Sequence, residues 1–212
     1  AAFESIEGIA EEKASVVEGL KIGGAIILND DISTVETVKF KILSYNFNPI
    51  CYGSKEKRNR ILNIDEINDA IKISSLIDGE EQCFKLNTTA NHFAINALGA
   101  LVVANILNCD LVKACESLST WIPGVGRGSV KKINLSQIGS IELIDDGYNA
   151  NPASISSAIN TLGKKKAKRR IAILGDMKEL GPFEIDYHVE IASLTDLYKV
   201  DCIHTVGPLM KH

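Results

Sequence analysis

The 212 residues are 45% hydrophobic and 24% charged, an average composition for a globular chain with room for one large domain or two ordinary ones. A net charge of −4 gives no reason to expect a nucleic-acid partner, and no apolar run reaches the roughly 18 residues of a membrane span. Five cysteines, at 51, 83, 109, 115 and 202, show no CxxC spacing and read as reduced thiols of a cytoplasmic protein.

The first stretch, "AAFESIEGIAEEKASVVEGL", lacks the basic and apolar regions of a signal peptide. Its apolar residues at Phe3, Ile6, Ile9, Ala10, Val16, Val17 and Leu20 predict a helix over 3–20. "GGAIILND" (23–30) predicts a buried strand, and "DISTVETVKFKIL" a helix beginning near Asp31. From 48 to 87, alternation, β-branched residues and Asp78-Gly79 predict strands and a hairpin. "NHFAINALGALVVANIL" (91–107) predicts a mostly buried helix, and Asp110 opens another. "IPGVGRGS" (122–129) is the glycine-dense linker where a domain boundary and hinge are expected. Beyond it, "IELIDD", "PASISSAINTL", "RRIAILGDM", "FEIDYHVEIASLTDLY" and "VDCIHTVG" alternate strand and helix, the rhythm of a parallel sheet flanked by helices. The basic run "KKKAKRR" (164–170) reads as a solvated loop.

Polar residues crowd two predicted strand ends. In open α/β sheets, ligands sit at such carboxyl ends, where loops meet helix N-termini. Asp145 and Asp146 lie side by side at one, and their repulsion calls for a cation, ribose hydroxyls or hydrogen-bond donors, unless one caps the turn. Asn151 before Pro152 suits a helix N-cap. Gly175-Asp176 repeats the logic one unit later, which predicts two acidic turns on the same edge of one sheet, sharing a cleft. His92 and Asn96 are four apart, so they share a helix face, and an asparagine both donates and accepts, as an adenine edge requires. Arg127, between glycines, is placed either to reach a phosphate or to sit on the surface. The phosphate-loop pattern GxxxxGK[ST] does not occur in these residues.

"DDGYNANPASISSAI", "ILGDMKELG" followed by "YH", "NHFAINALGA" and "PGVGRG" together resemble the Mur ligases of peptidoglycan synthesis, nearest to the members that add D-alanyl-D-alanine to UDP-N-acetylmuramoyl-tripeptide. The resemblance implies an α/β fold. Residues 1–127 would be the C-terminal part of a central ATP-binding domain lacking its phosphate loop, and 128–212 a Rossmann-like parallel-sheet C-terminal domain, both incomplete. It implies ATP and Mg2+ as cofactors and those two molecules as substrates, joined through an acyl phosphate in the cytoplasm without nucleic acid or membrane insertion. It implies Lys13 as a catalytic lysine, able to hold metal only if carbamylated, and His188 as a second catalytic residue whose role the resemblance leaves open. His92 and Asn96 match the adenine side and Arg127 a phosphate contact. Asp145, Asp146, Tyr148 and Asn151 match a nucleotide-facing turn, with Asp146 at the ribose. Departures are Gly147, where the family often has a hydroxyl residue, and Ala90, where glycine is common. On this reading the chain alone binds nucleotide weakly and does not hydrolyse ATP, and its truncated sheet edges are places for self-association. Another Mur ligase adding a different residue, a folylpolyglutamate synthetase-like ligase and a non-catalytic nucleotide-binding module are the alternatives.

Overall fold

A computed structural model describes residues 5–68, 70–136 and 139–212. The chain divides into two units between Ile122 and Pro123.

The first unit opens with α1 (Ile6–Ala14), started by Ser5, whose Oγ accepts the Gly8 N–H at 3.0 Å. The helix expected over 3–20 tightens into a 3-10 turn at Ser15–Gly19; residues 3 and 4 lie outside the described residues. β1 (Ile27–Asn29) and β2 (Ile50–Tyr52) pair in parallel, with α2 (Val35–Ser44) between them in sequence. β1 is shorter than the expected 23–30, and α2 starts four residues after Asp31. That aspartate is engaged elsewhere: its carboxylate accepts the Ser54 N–H at 2.8 Å and the Ser54 hydroxyl at 2.6 Å. Ala10, Ala14, Leu28, Val38 and Ile42 close the core of this part.

An antiparallel sheet follows, β3 (Arg60–Ile67), β4 (Ala70–Ile77) and β5 (Glu80–Leu86). The predicted hairpin falls between β4 and β5, where Asp78 and Gly79 take φ of 52° and 88°, the positive pair that matches strand twist in a two-residue turn. α3 (His92–Ile106) lays Ala94, Ala97, Leu98, Leu101 and Val102 on Ile71, Ile73, Phe84 and Leu86. Gly99 lets Tyr52 approach closely; a β-carbon there would stand 2.7 Å from the ring. α4 (Leu111–Leu118) is capped by Asp110, which accepts the Lys113 N–H at 3.2 Å.

In the second unit β6 (Ser129–Leu135) and β7 (Gly139–Asp145) form an antiparallel hairpin, followed by α5 (Pro152–Lys164), β8 (Ile171–Gly175), α6 (Glu184–Ile191) and β9 (Cys202–Val206). β8 and β9 are parallel, as the strand–helix rhythm predicts, and Ile155, Ile159, Met177 and Ile191 form the core beneath. "IELIDD" does not join them. β7 hydrogen-bonds to β6, a strand the sequence reading passed over. The reason is in its pattern: a parallel strand buried on both faces is a continuous apolar run, whereas Ile141, Glu142 and Leu143 alternate as in antiparallel pairs.

Candidate functional site

The turn after β7 is built from its backbone outward. Past the last ladder pair, Ser129 with Asp145, the Gly128 N–H donates to the Asp145 carbonyl at 2.8 Å, and the Tyr148 N–H to the Gly126 carbonyl at 2.9 Å. Two segments that read as separate motifs, 126–128 and 145–148, are thereby one structure. Within the glycine-rich stretch where a hinge is expected, Gly126 and Gly128 are tied by main-chain bonds. Gly126 makes this possible twice over. Its φ is +74°, a region that disfavours a side chain, and a β-carbon would lie 2.8 Å from the Tyr148 nitrogen.

On this frame the side chains face outward. Asp146 is exposed and Tyr148 is 66% exposed. The Arg127 guanidinium carbon lies 4.1 Å from the Tyr148 ring centre. Asp145 Oδ1 accepts the Gly147 N–H at 3.3 Å, so this carboxylate does cap the turn. Asn151 Oδ1 accepts the Ser154 N–H at 2.9 Å and Ser154 Oγ accepts the Asn151 N–H at 2.9 Å, a reciprocal cap that starts α5 at Pro152. Arg127, Asp145, Asp146 and Tyr148 are thus brought together, with Asn151 fixing where the next helix begins.

The other acidic strand end behaves differently. Asp176 Oδ1 accepts the N–H groups of Leu209 at 3.0 Å and Met210 at 2.9 Å, tying the end of β8 to the loop beyond β9. Asp145 ends β7 and Asp176 follows β8, strands of different sheets, so the shared sheet edge is corrected. His188 is also not a displayed residue. It is 5% exposed, and its Nε2 accepts the Met177 N–H at 2.9 Å. A backbone N–H only donates, so Nε2 is unprotonated; the ring proton is on Nδ1, which donates to the Glu184 carbonyl at 2.6 Å. Both nitrogens of this expected catalytic residue are occupied inside the fold, fastening α6 to the loop after β8.

In the first unit His92 and Asn96 are exposed on one face of α3, and the His92 ring lies 4.1 Å from that of Phe93, which packs 4.8 Å from Trp121. Lys13 is exposed in the last turn of α1. As an ammonium it repels a cation. Among the described residues, the side chains of His, Cys, Asp or Glu that gather in a group of three or more fit to share an ion are Asp30, Cys51 and Glu56. Asp30 already pairs with Lys39, and burial pushes the Cys51 thiol toward its neutral form. A soft thiol and an adjacent ammonium do not suit Mg2+, which asks for hard oxygen ligands. These residues do not fit a magnesium site. Arg127, Asp146 and Asn96 are each exposed, and side chains of these types are able to meet a phosphate, hydroxyls and a base edge respectively. What reading the sequence missed is the pin at Gly126; its trace was the alternation of glycines in "GVGRG", which marks a backbone held at special angles as well as a loose one.

Comparisons with known proteins bear on the family and the fold. The profile of the Mur ligase middle domain matches residues 1–104, and that of the Mur ligase glutamate ligase domain matches residues 132–211. The UDP-N-acetylmuramoyl-tripeptide–D-alanyl-D-alanine ligase of Bacillus subtilis is 26% identical over 207 residues, 97% of this chain and 43% of that protein. The enzyme of the same name from Buchnera aphidicola is 29% identical over 213 residues, 100% of this chain and 45% of its own length. The chain therefore spans less than half of these relatives. Among solved structures, MurF from Acinetobacter baumannii superposes with a TM-score of 0.84 at 21% identity, covering 98% of this chain and 44% of that one. MurF from Thermotoga maritima in complex with ADP gives 0.76 at 20% identity, covering 98% and 46%. Folylpolyglutamate synthetase from Lactobacillus casei shares the fold at 0.62 and 14% identity, covering 99% and 57%.

Proposed function

The chain belongs to the Mur ligase family, and from that membership we propose that it is part of a UDP-N-acetylmuramoyl-tripeptide–D-alanyl-D-alanine ligase and carries residues that bind its ATP. In that reaction ATP phosphorylates the tripeptide carboxylate. The amine of D-alanyl-D-alanine attacks the acyl phosphate, giving an amide, ADP and phosphate. These residues carry no GxxxxGK[ST], so on this reading the grip on the β- and γ-phosphates, and the magnesium that accompanies them, lie with other residues.

What this chain supplies is orientation. Asn96 offers an adenine edge both a donor and an acceptor. Asp146, exposed on the turn, accepts from ribose hydroxyls. Arg127 meets phosphate oxygens with several N–H donors at once. Lys13 is given the metal-side role only in carbamylated form, when the ammonium becomes an anion. Asn151, as N-cap, holds α5 and the turn in register. His188 keeps the scaffold closed.

The observation that carries the reading is the pinned turn: two motif segments joined by main-chain bonds present Arg127, Asp146 and Tyr148 to solvent, where a folding role would have buried them. Calorimetric titration with ATP and Mg2+ tests it. The chain alone is expected to bind in the millimolar range, about −4 kcal/mol, without hydrolysis. Asp146→Asn and Arg127→Ala each weaken binding. Turnover of ATP by the chain alone, or affinity indifferent to both substitutions, contradicts the proposal.

A further inference from the structure

Arg127 is exposed on a turn with two aspartates, yet among the described residues it forms no ion pair and its partner is the Tyr148 ring. The choice of partner has chemical consequences. A carboxylate would order the guanidinium but also neutralise it, and a ligand phosphate would then have to displace that carboxylate. An aromatic face orders it by a weaker attraction, about 0.5–1 kcal/mol at an exposed site. At 4.1 Å from the ring centre the guanidinium suits flat stacking, in which its N–H donors, lying in its own plane, point away from the ring. The main chain that carries the ring is held: the Tyr148 N–H bonds the Gly126 carbonyl at 2.9 Å, one residue before Arg127. Ring and guanidinium are therefore mounted on the same two main-chain links.

We propose that Tyr148 is a positioning residue, whose ring holds the Arg127 guanidinium ready for a phosphate while leaving its charge and donors free. The role rests on the nucleotide reading above. It needs the ring and not the hydroxyl, and this separates it from a direct contact between the Tyr148 oxygen and the ligand.

The test uses the 212-residue chain and two variants, Tyr148→Phe and Tyr148→Leu, at a position exposed enough for both to fold. NMR reads the Arg127 δ-methylene shifts without ligand, then binding of ATP with Mg2+ and, separately, of inorganic tripolyphosphate. In the wild type and Tyr148→Phe the methylene signals lie upfield under the ring current, and both ligands bind within twofold of one another between the two proteins. In Tyr148→Leu the signals return to unstructured values and both affinities fall about fivefold, equivalent to about 1 kcal/mol. Wild-type affinity matched by Tyr148→Leu, or loss in Tyr148→Phe equal to that in Tyr148→Leu, overturns the positioning role alone. Absence of ATP binding by the wild type overturns the nucleotide reading and this role with it, while the ring-current shift still reports whether the stack forms.

Discussion

Two turns of the second unit look alike in sequence and differ in use. Each ends a β-strand with an aspartate beside a glycine and leads to a helix. The turn at 145–151 uses main-chain bonds for its own shape and leaves Asp146, Arg127 and Tyr148 outside. The turn at 175–177 turns its polar groups inward: Asp176 takes two N–H groups of the 209–210 loop, and Met177, fully buried, gives its N–H to His188. A carboxylate turned into the fold must find partners there, whereas an exposed one is satisfied by water until a ligand replaces it. Burial decides whether the fold provides those partners or leaves the group to solvent.

Substitutions that separate stability from binding break this comparison if it is mistaken. The largest effect is expected at His188→Ala, which leaves a buried N–H without an acceptor and a gap beside Met177. Urea unfolding should show a loss of about 2–4 kcal/mol, with Asp146-dependent ATP binding retained wherever the protein remains folded. Next is Gly126→Ala, where positive φ and the crowding against Tyr148 together cost about 1–3 kcal/mol in the same measurement. Because it strains the pin itself, it should also shift the amide signals of residues 126–128 and 145–148. Asn151→Ala removes one cap, about 1 kcal/mol, and should fray the first turn of α5 in amide exchange. Asp146→Asn should change stability by less than about 0.5 kcal/mol and still weaken ATP binding, a pairing the inward-facing turn cannot produce.

A smaller effect concerns pH. The Asp196 carboxyl is held below the usual aspartate value of 3.8, first by the hydrogen bond from Lys199 Nζ at 2.5 Å and then by that from Asn160 at 2.5 Å. A depressed carboxyl contributes its tie above the ordinary value, and the tie is lost as pH falls through the lowered one. The link between α5 and the 195–199 turn should therefore be unchanged near neutrality and open only in acid below 3.8. The Asn160 side-chain amide signal should report that opening, and Asp196→Asn should abolish the titration.

The sequence made several parts of this legible because local chemistry leaves few options. Asp78-Gly79 could hardly be other than a tight hairpin, and Asn151-Pro152 had to start a helix. The apolar continuity of 91–107 required burial. Long-range partners were less visible. Nothing within "ILGDMKELG" announces that its aspartate will bind the backbone of 209 and 210. Nor does "YH" reveal that the histidine reaches back eleven residues to Met177. β7 was assigned to the wrong partner because its place in a strand–helix rhythm outweighed its own alternation. The candidate residues could be listed by type alone. Their orientation was the missing information, since a motif fixes side-chain types and the fold fixes which way they point.

The direct measurement is an amide shift map of the chain titrated with ATP and Mg2+. The account predicts changes at Gly126–Gly128 and Asp145–Asn149, with the base side read at His92–Asn96, while Asp176, Met177 and His188 stay still. Shifts centred on Asp176 and His188, with the 145–149 turn unmoved, would contradict it.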